Sequence, residues 1–502
     1  MVLYIVTYKE RPSTGHTHIY LACRERARIN VRTRMEFGEE GLLQEPVSPG
    51  SQFMNSSVLS LAILAVLESQ VPIDDLQTFS LLKNVFLPIN PRFSSIMVEG
   101  VDKQNKQWKR VAVKLEDHVR APIFPAGMSL ESYDTCFDEY MTQIASETFP
   151  QSKPLWELHL FKYPTSHAAG QIILKIHHAL GDGYSLMGAL LSCLQNAQNP
   201  SLPLTFPSLK GANSKATSRS RGFEFVPKIF SAVFNSAWDF SWSILKSTWV
   251  EDDRTPIRSG VEGVEFRPLS VSTLILSIEE IKLVKSKLGV TINDVITGAI
   301  FLGLRMYMQK MNSGKSSSEN CTALVLLNTR LAAGYKSVQE MLNETNKSWG
   351  NRFAFLHVSV PKSSQVSKPL DFVWEAQRII KRQRSSSAWY LTTRLYDILK
   401  KLRGAEVASE YMYSTLKNSS TGITNMIGPL EQMSLDNHPI KGIYFMVTGS
   451  PQCLNMSVMS YMGKLRIAFG AEKGFIDSKI LQGCMKDAFQ VICEAGTEFR
   501  IN

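Results

Sequence analysis

The chain has 502 residues, 44% of them hydrophobic and 20% charged, with a formal net charge of +10. That length exceeds one compact core and favours two or three domains, and the apolar fraction excludes a disordered chain. Half of the basic excess sits in residues 1–34, so the remainder is mildly basic, and no Lys/Arg patch interleaved with aromatics argues for nucleic acid. Residues 1–34 carry Lys9, Arg11, Arg24, Arg26, Arg28, Arg32 and Arg34 against Glu10 and Glu25. They read as a disordered extension or an upstream gene-model artefact ahead of Met35, with an Arg-rich transit peptide as the alternative.

From residue 55 to about 200, apolar strand-like runs alternate with helical ones. Val58 to Leu67 is almost wholly apolar, too short to span a bilayer, and is expected to be a buried helix. A helix is expected in Met128 to Thr148, a short strand in Gln171 to His178, and a helix from Leu186 to Leu194, just after a Gly-Asp-Gly turn. Residues 199–222 are rich in Pro, Ser, Gly and Lys, the composition of a linker. The expected organisation is a first domain over 35–205, a connecting segment over 206–265 and a second domain over 266–502.

Within the connecting segment, 223–250 is crowded with Phe and Trp, and its polar residues Lys228, Asn235, Asp239 and Lys246 form one narrow helical stripe. Such a helix suits either a membrane interface, aromatics at headgroup level and lysines outward, or a packed interdomain position. Asp239 and Lys246 make it a poor transmembrane helix. Further on, Ser270 to Leu276 is strand-like and Ile278 to Leu288 helical, and Asn293-Asp294 opens a long apolar helix to Met308. Strands are expected at Thr322 to Leu327, Arg352 to Val360 and Leu454 to Tyr461, and Gly463 turns the last into Lys464 to Phe469.

The chemistry concentrates at His177-His178-Ala179-Leu180-Gly181-Asp182-Gly183. Strand alternation puts His178 on the face of Ile172, Leu174 and Ile176, and His177 with Ile173 and Lys175. His178 therefore ends the more apolar face beside a glycine turn and a helix start, a position suited to proton transfer. Gly183-Tyr184-Ser185-Leu186-Met187-Gly188 is one residue too long for a nucleophile elbow, which argues against a serine hydrolase. No dinucleotide or Walker loop and no metal-ligand spacing appears, and seven scattered cysteines read as reduced thiols facing the cytosol.

His-His-x-x-x-Asp-Gly (HHxxxDG) resembles the motif of the CoA-dependent acyltransferase superfamily. Pro154-Leu155-Trp156-Glu157, Asn293-Asp294-Val295, Asn328-Thr329-Arg330, Trp349-Gly350-Asn351-Arg352 and Thr424-Asn425-Met426-Ile427-Gly428-Pro429 follow in the order of its wax ester synthase/diacylglycerol acyltransferase branch, plant bifunctional type. The absence of Asp-Phe-Gly-Trp-Gly separates the chain from the soluble plant acyltransferases.

The resemblance implies an α/β fold of two chloramphenicol-acetyltransferase-like domains, mixed sheets with flanking helices, and an active-site tunnel between them. It implies His178 as general base, with a weaker claim for His177. Asp182 would be tied to a basic residue in structural support, and Gly183 would keep the channel clear. Trp156, Asn293, Asp294, Asn425 and Gly428 would line or support the substrate site. Read from the residues alone, Trp156 is core, Asn293 and Asp294 are helix caps, and Asn425 with Gly428-Pro429 is a turn.

The implied reaction takes a long-chain acyl group from acyl-CoA, as co-substrate with no permanently bound cofactor, to a fatty alcohol or diacylglycerol. The implied place is the cytosolic side of the endoplasmic reticulum membrane, with the plasma membrane as a second site. The alternatives are a soluble acyltransferase for smaller alcohols and a non-catalytic lipid-binding protein on the same scaffold.

Overall fold

The structure is a computed structural model describing residues 45–74, 77–100, 105–207, 225–313, 318–330, 349–362 and 368–499, with side chains of 225–235 excepted. Residues 1–34 and most of the Pro/Ser-rich linker lie outside the described residues.

The first half runs through β1 (Glu45–Pro46), α1 (Pro49–Phe53), β2 (Ala62–Ser69), β3 (Ser95–Glu99), β4 (Lys106–Arg110) and β5 (Val119–Arg120). It continues with α2 (Leu130–Ser146), β6 (Trp156–Phe161), β7 (Gly170–His177), α3 (Gly183–Cys193) and β8 (Gln195–Asn196). The long aromatic helix α4 (Phe225–Thr248) leads to β9 (Leu269–Ser277), α5 (Ile278–Leu288), α6 (Ile292–Met311), β10 (Thr322–Asn328) and β11 (Phe353–Ser359). Then come α7 (Pro369–Ser385), α8 (Ala388–Arg403), α9 (Ala405–Lys417), β12 (Thr421–Ile427), β13 (Met433–Leu435) and β14 (His438–Thr448). The chain closes with β15 (Leu454–Tyr461), β16 (Lys464–Glu472) and α10 (Ser478–Glu498).

Two large mixed sheets organise these elements: β5-β6-β7-β2-β14-β13-β8 and β11-β10-β12-β15-β16-β9. In the second, β12 runs parallel to β10 and β15, and the other neighbours are antiparallel. The core helix α6 is buried along most of its length because α7 and α10 pack against it within the second domain's core. Met462 and Gly463, both with positive φ, make the tight turn between β15 and β16.

Two expectations need correction, and the sequence leaves the orientation of the aromatic helix open. The apolar run from Val58 is a strand: Ala62–Ser69 pairs with β7 on one edge and β14 on the other. Such a strand is covered on both faces, so its sequence loses the period-2 alternation that would mark it, and a short apolar run also fits a buried helix.

The second domain is not continuous over 266–502. β13 and β14 leave it to pair with β8 and β2, so residues 433–448 belong to the first sheet. The Arg466 guanidinium on β16 then donates to both oxygens of the Glu68 carboxylate on β2 at 2.6 and 2.9 Å, a buried fork linking the two sheets.

On α4 the described polar residues of the stripe face inward. Lys246 is buried and pairs with Asp252, and Asp239 accepts from Arg382 at 2.6 Å. Asp252 also accepts from Thr322 and Ser420, anchoring the helix to the second sheet. Lys228 and Asn235 lie outside the described side chains.

Candidate active site

β7 delivers the motif. Its ladder with β2 ends at the Ala62–His177 pair, the His178 N–H still donates to the Leu61 carbonyl, and the chain then tightens into a 3-10 turn over His178–Leu180. Gly181 ends that turn and Asp182 caps α3, its Oδ1 accepting the Ser185 N–H at 3.1 Å.

The other Asp182 oxygen meets the second half of the molecule. Oδ2 accepts from the Arg330 guanidinium at 2.5 Å and from the Arg352 N–H at 2.9 Å. Arg330 sits just past β10 and Arg352 just before β11, where those strands are paired. Arg330 also donates to the Ser185 hydroxyl at 3.1 Å and to the Gly350 carbonyl, and lies over the Tyr184 ring. A buried carboxylate with three donors, one of them cationic, holds the turn against both halves of the chain.

The two histidines are treated oppositely. His177 Nδ1 accepts the Ala179 N–H at 3.1 Å, which leaves its proton on Nε2, 3.0 Å from the Ser60 hydroxyl. Both nitrogens are occupied, and burial pushes its pKa down to about 3. His177 thus has no lone pair left to offer a substrate.

His178 Nδ1 lies 2.8 Å from Asn351 Oδ1. The Asn351 amide is oriented by its own NH₂ group, which donates to the His178 carbonyl at 2.8 Å. The amide oxygen must then accept from the ring, so Nδ1 carries the proton and Nε2 keeps its lone pair. Nε2 makes no hydrogen bond among the described residues. Burial lowers the His178 pKa, opposed by the Asp182 carboxylate and the contact with Asn351, so the ring is neutral and basic near neutral pH. The Phe353 ring stands edge-on to it, centroids 5.6 Å apart.

Beside the turn lies a partly open cavity. Its walls are apolar: Leu174 and Ile176 from the β7 face that leads to His178, Leu186 and Leu190 from α3, and Met426 and Phe445 from the second half. Gly183 forms part of this wall, and a Cβ there would meet Met426 Sδ at 2.8 Å.

The remaining expected site residues are dispersed. Trp156 is fully buried, stacked on His118, with its indole N–H on the Phe93 carbonyl at 2.8 Å. Asp294 completes a capping box with Thr291 at the start of α6. Asn293 accepts from the Asn425 amide at 2.6 Å at the surface, and it is the neighbouring Met426 that reaches the cavity. Asn425 lies on β12 rather than in a turn. Gly428 allows β12 to approach the Ser460 carbonyl, which a Cβ would meet at 2.5 Å.

Asn351 and Arg330 are the residues that sequence reasoning placed without giving a role. Their signal was two polar blocks flanking consecutive strand ends, and only the fold shows which histidine and which carboxylate they reach.

Comparison with known proteins gives a consistent result. Residues 68–296 match the wax ester synthase/diacylglycerol acyltransferase catalytic domain, and residues 349–493 match the WS/DGAT C-terminal domain. The chain is 30% identical to wax ester synthase/diacylglycerol acyltransferase 4 of Arabidopsis thaliana, over 88% of each chain. In fold it is similar to the wax ester synthase/diacylglycerol acyltransferase from Marinobacter aquaeolei VT8, TM-score 0.56 at 14% identity, covering 90% of this chain and 99% of that one. The first condensation domain of the calcium-dependent antibiotic synthetase also shares the fold, TM-score 0.51 at 13% identity, covering 90% and 92%.

Proposed function

The chain belongs to the wax ester synthase/diacylglycerol acyltransferase family, and on that premise we propose that it transfers a long-chain acyl group from acyl-CoA to a fatty alcohol, giving wax ester, and to diacylglycerol, giving triacylglycerol. One observation carries the chemistry: His178 is buried and neutral, with Nδ1–H held by Asn351 and Nε2 left as the base.

Nε2 takes the hydroxyl proton as the alcohol oxygen attacks the thioester carbonyl. The tetrahedral intermediate expels the CoA thiolate, which recovers the proton from the imidazolium, so ester and free thiol leave and the base is restored. General base catalysis of this kind supplies about 10²–10⁴-fold, and the remainder comes from positioning and from charge stabilisation at the oxyanion. Asp182 acts at a distance, fixing the turn through Arg330 and the Arg352 N–H.

The uniformly apolar cavity wall favours hydrocarbon chains over small polar alcohols. Substrates of this kind reside in bilayers, which supports a site of action at the cytosolic face of the endoplasmic reticulum, with the plasma membrane second. Among the described residues no single helix is long and apolar enough to cross a membrane.

The test is expression in yeast lacking its own neutral-lipid synthesis, wild type against His178→Ala. Wax ester with fed alcohol, or triacylglycerol, should appear only with wild type. Equal lipid profiles would remove His178 as the base.

A further inference from the structure

Two neighbouring helices expose an apolar stripe to solvent. On α4, Asp239, Ser243, Lys246 and Ser247 are buried, while Trp238, Trp242 and, just past its end, Trp249 are 60%, 37% and 79% exposed. The three tryptophans fall at steps of four and seven, a single outward stripe.

On α8, Leu391, Ile398 and Leu402 are exposed, at steps of seven and four, again one outward stripe. Tyr390 is exposed at its start, and Arg394 and Lys401 are exposed between the leucines. The inward side of α8 carries Tyr396 and Leu399 into a cluster containing Phe53, Met54, Leu59, Leu61 and Ala179. The two helices pack together, with the Ser387 N–H at the start of α8 donating to the Ser236 hydroxyl of α4 at 3.0 Å. An ordinary surface helix buries its apolar stripe, and exposed patches of large apolar side chains mark binding surfaces.

We propose that the outward stripes of α4 and α8 form a docking face for the surface of an anionic lipid bilayer. The chemistry of the face selects this occupant. Tryptophan is the side chain that settles at the boundary between headgroups and acyl chains. α8 carries Arg394, Lys400, Lys401 and Arg403 against one acid, Asp397, a charge that suits anionic headgroups and opposes a second copy of the same face.

The location fits the proposed reaction, on which the biological meaning of this face rests. The apolar cluster beneath α8 includes Ala179 of the motif turn and is packed by Phe353, whose ring abuts His178.

The test uses the full chain and vesicle sedimentation, with phosphatidylcholine vesicles and vesicles of equal parts phosphatidylcholine and phosphatidylserine. Wild type should bind the mixed vesicles about tenfold more tightly than the neutral ones. Trp238→Ser/Trp242→Ser/Trp249→Ser and Leu391→Ser/Ile398→Ser/Leu402→Ser should each weaken that binding about tenfold or more. Transfer from a short-chain acyl-CoA to a water-soluble alcohol should be unchanged in both triple variants, since neither touches the catalytic turn. Wild-type binding by both triple variants overturns the proposal. So does a wild-type dimer that the variants turn into monomers without loss of vesicle binding. A wild type that binds vesicles but transfers no acyl group keeps the docking face and sinks the acyltransferase reading instead.

Discussion

His177 and His178 are adjacent in sequence and equally buried, yet the fold makes opposite use of them. His177 closes on its own neighbourhood, with one nitrogen on the Ala179 N–H and the other on Ser60. His178 is held from across the molecule by Asn351, with one nitrogen left open. The proposed base is therefore set apart less by burial, which both share, than by what occupies each nitrogen.

The largest effect on this contrast should come from the frame around Asp182. Arg330→Met leaves a buried carboxylate without its cation and should cost about 3–5 kcal/mol of stability, read by denaturant unfolding. Activity should fall with it, because the turn that presents His178 loosens. Unchanged stability would show that the ion pair is dispensable to the turn.

Asn351 comes next. Asn351→Ala should lower kcat/KM by about 10–100-fold, as loss of an orienting partner does. Asn351→Asp keeps an acceptor for Nδ1–H and should recover much of the rate. The pH profile separates orientation from mere packing. Wild-type activity is lost as pH falls through the His178 pKa, and burial places that acid limb below the usual histidine range. A carboxylate at 351 stabilises the imidazolium, so the limb should move to higher pH. An unmoved limb in Asn351→Asp would mean that Asn351 does not govern the ring.

The smallest effect belongs to His177. His177→Gln should cost about 1 kcal/mol of stability at neutral pH and leave kcat within severalfold. Its folded pKa is depressed to about 3, so the unfolded chain binds the proton first as pH drops. Its contribution to stability is complete above the unfolded value near 6.5 and declines as pH falls toward 3. The variant should flatten stability against pH across that window, measured by thermal unfolding. A large loss of kcat would overturn the contrast between the two rings.

The stripes of α4 show how far pattern reading carries. Their spacing identified a helix and its polar line, but not which line faced water, because Lys246 was destined for Asp252, an acid that closes against it only in the folded chain. β2 reads as a helix for a related reason: a strand flanked on both edges and both faces has no alternation to read.

By itself the sequence determined the local facts: which runs are apolar, where β7 breaks, and that Leu174 and Ile176 share a face. These depend on neighbours two to seven residues apart, the range over which strand and helix periods act. Tertiary structure alone decided that β14 crosses into the first sheet, that Arg330 finds Asp182 and that Asn351 finds His178, 148 and 173 residues apart. Contacts at that separation arise from the pairing of strands, which no local periodicity encodes. The proposed base stands out in the sequence only with the ordered blocks around its motif, and its protonation is set by an amide on the far half of the chain.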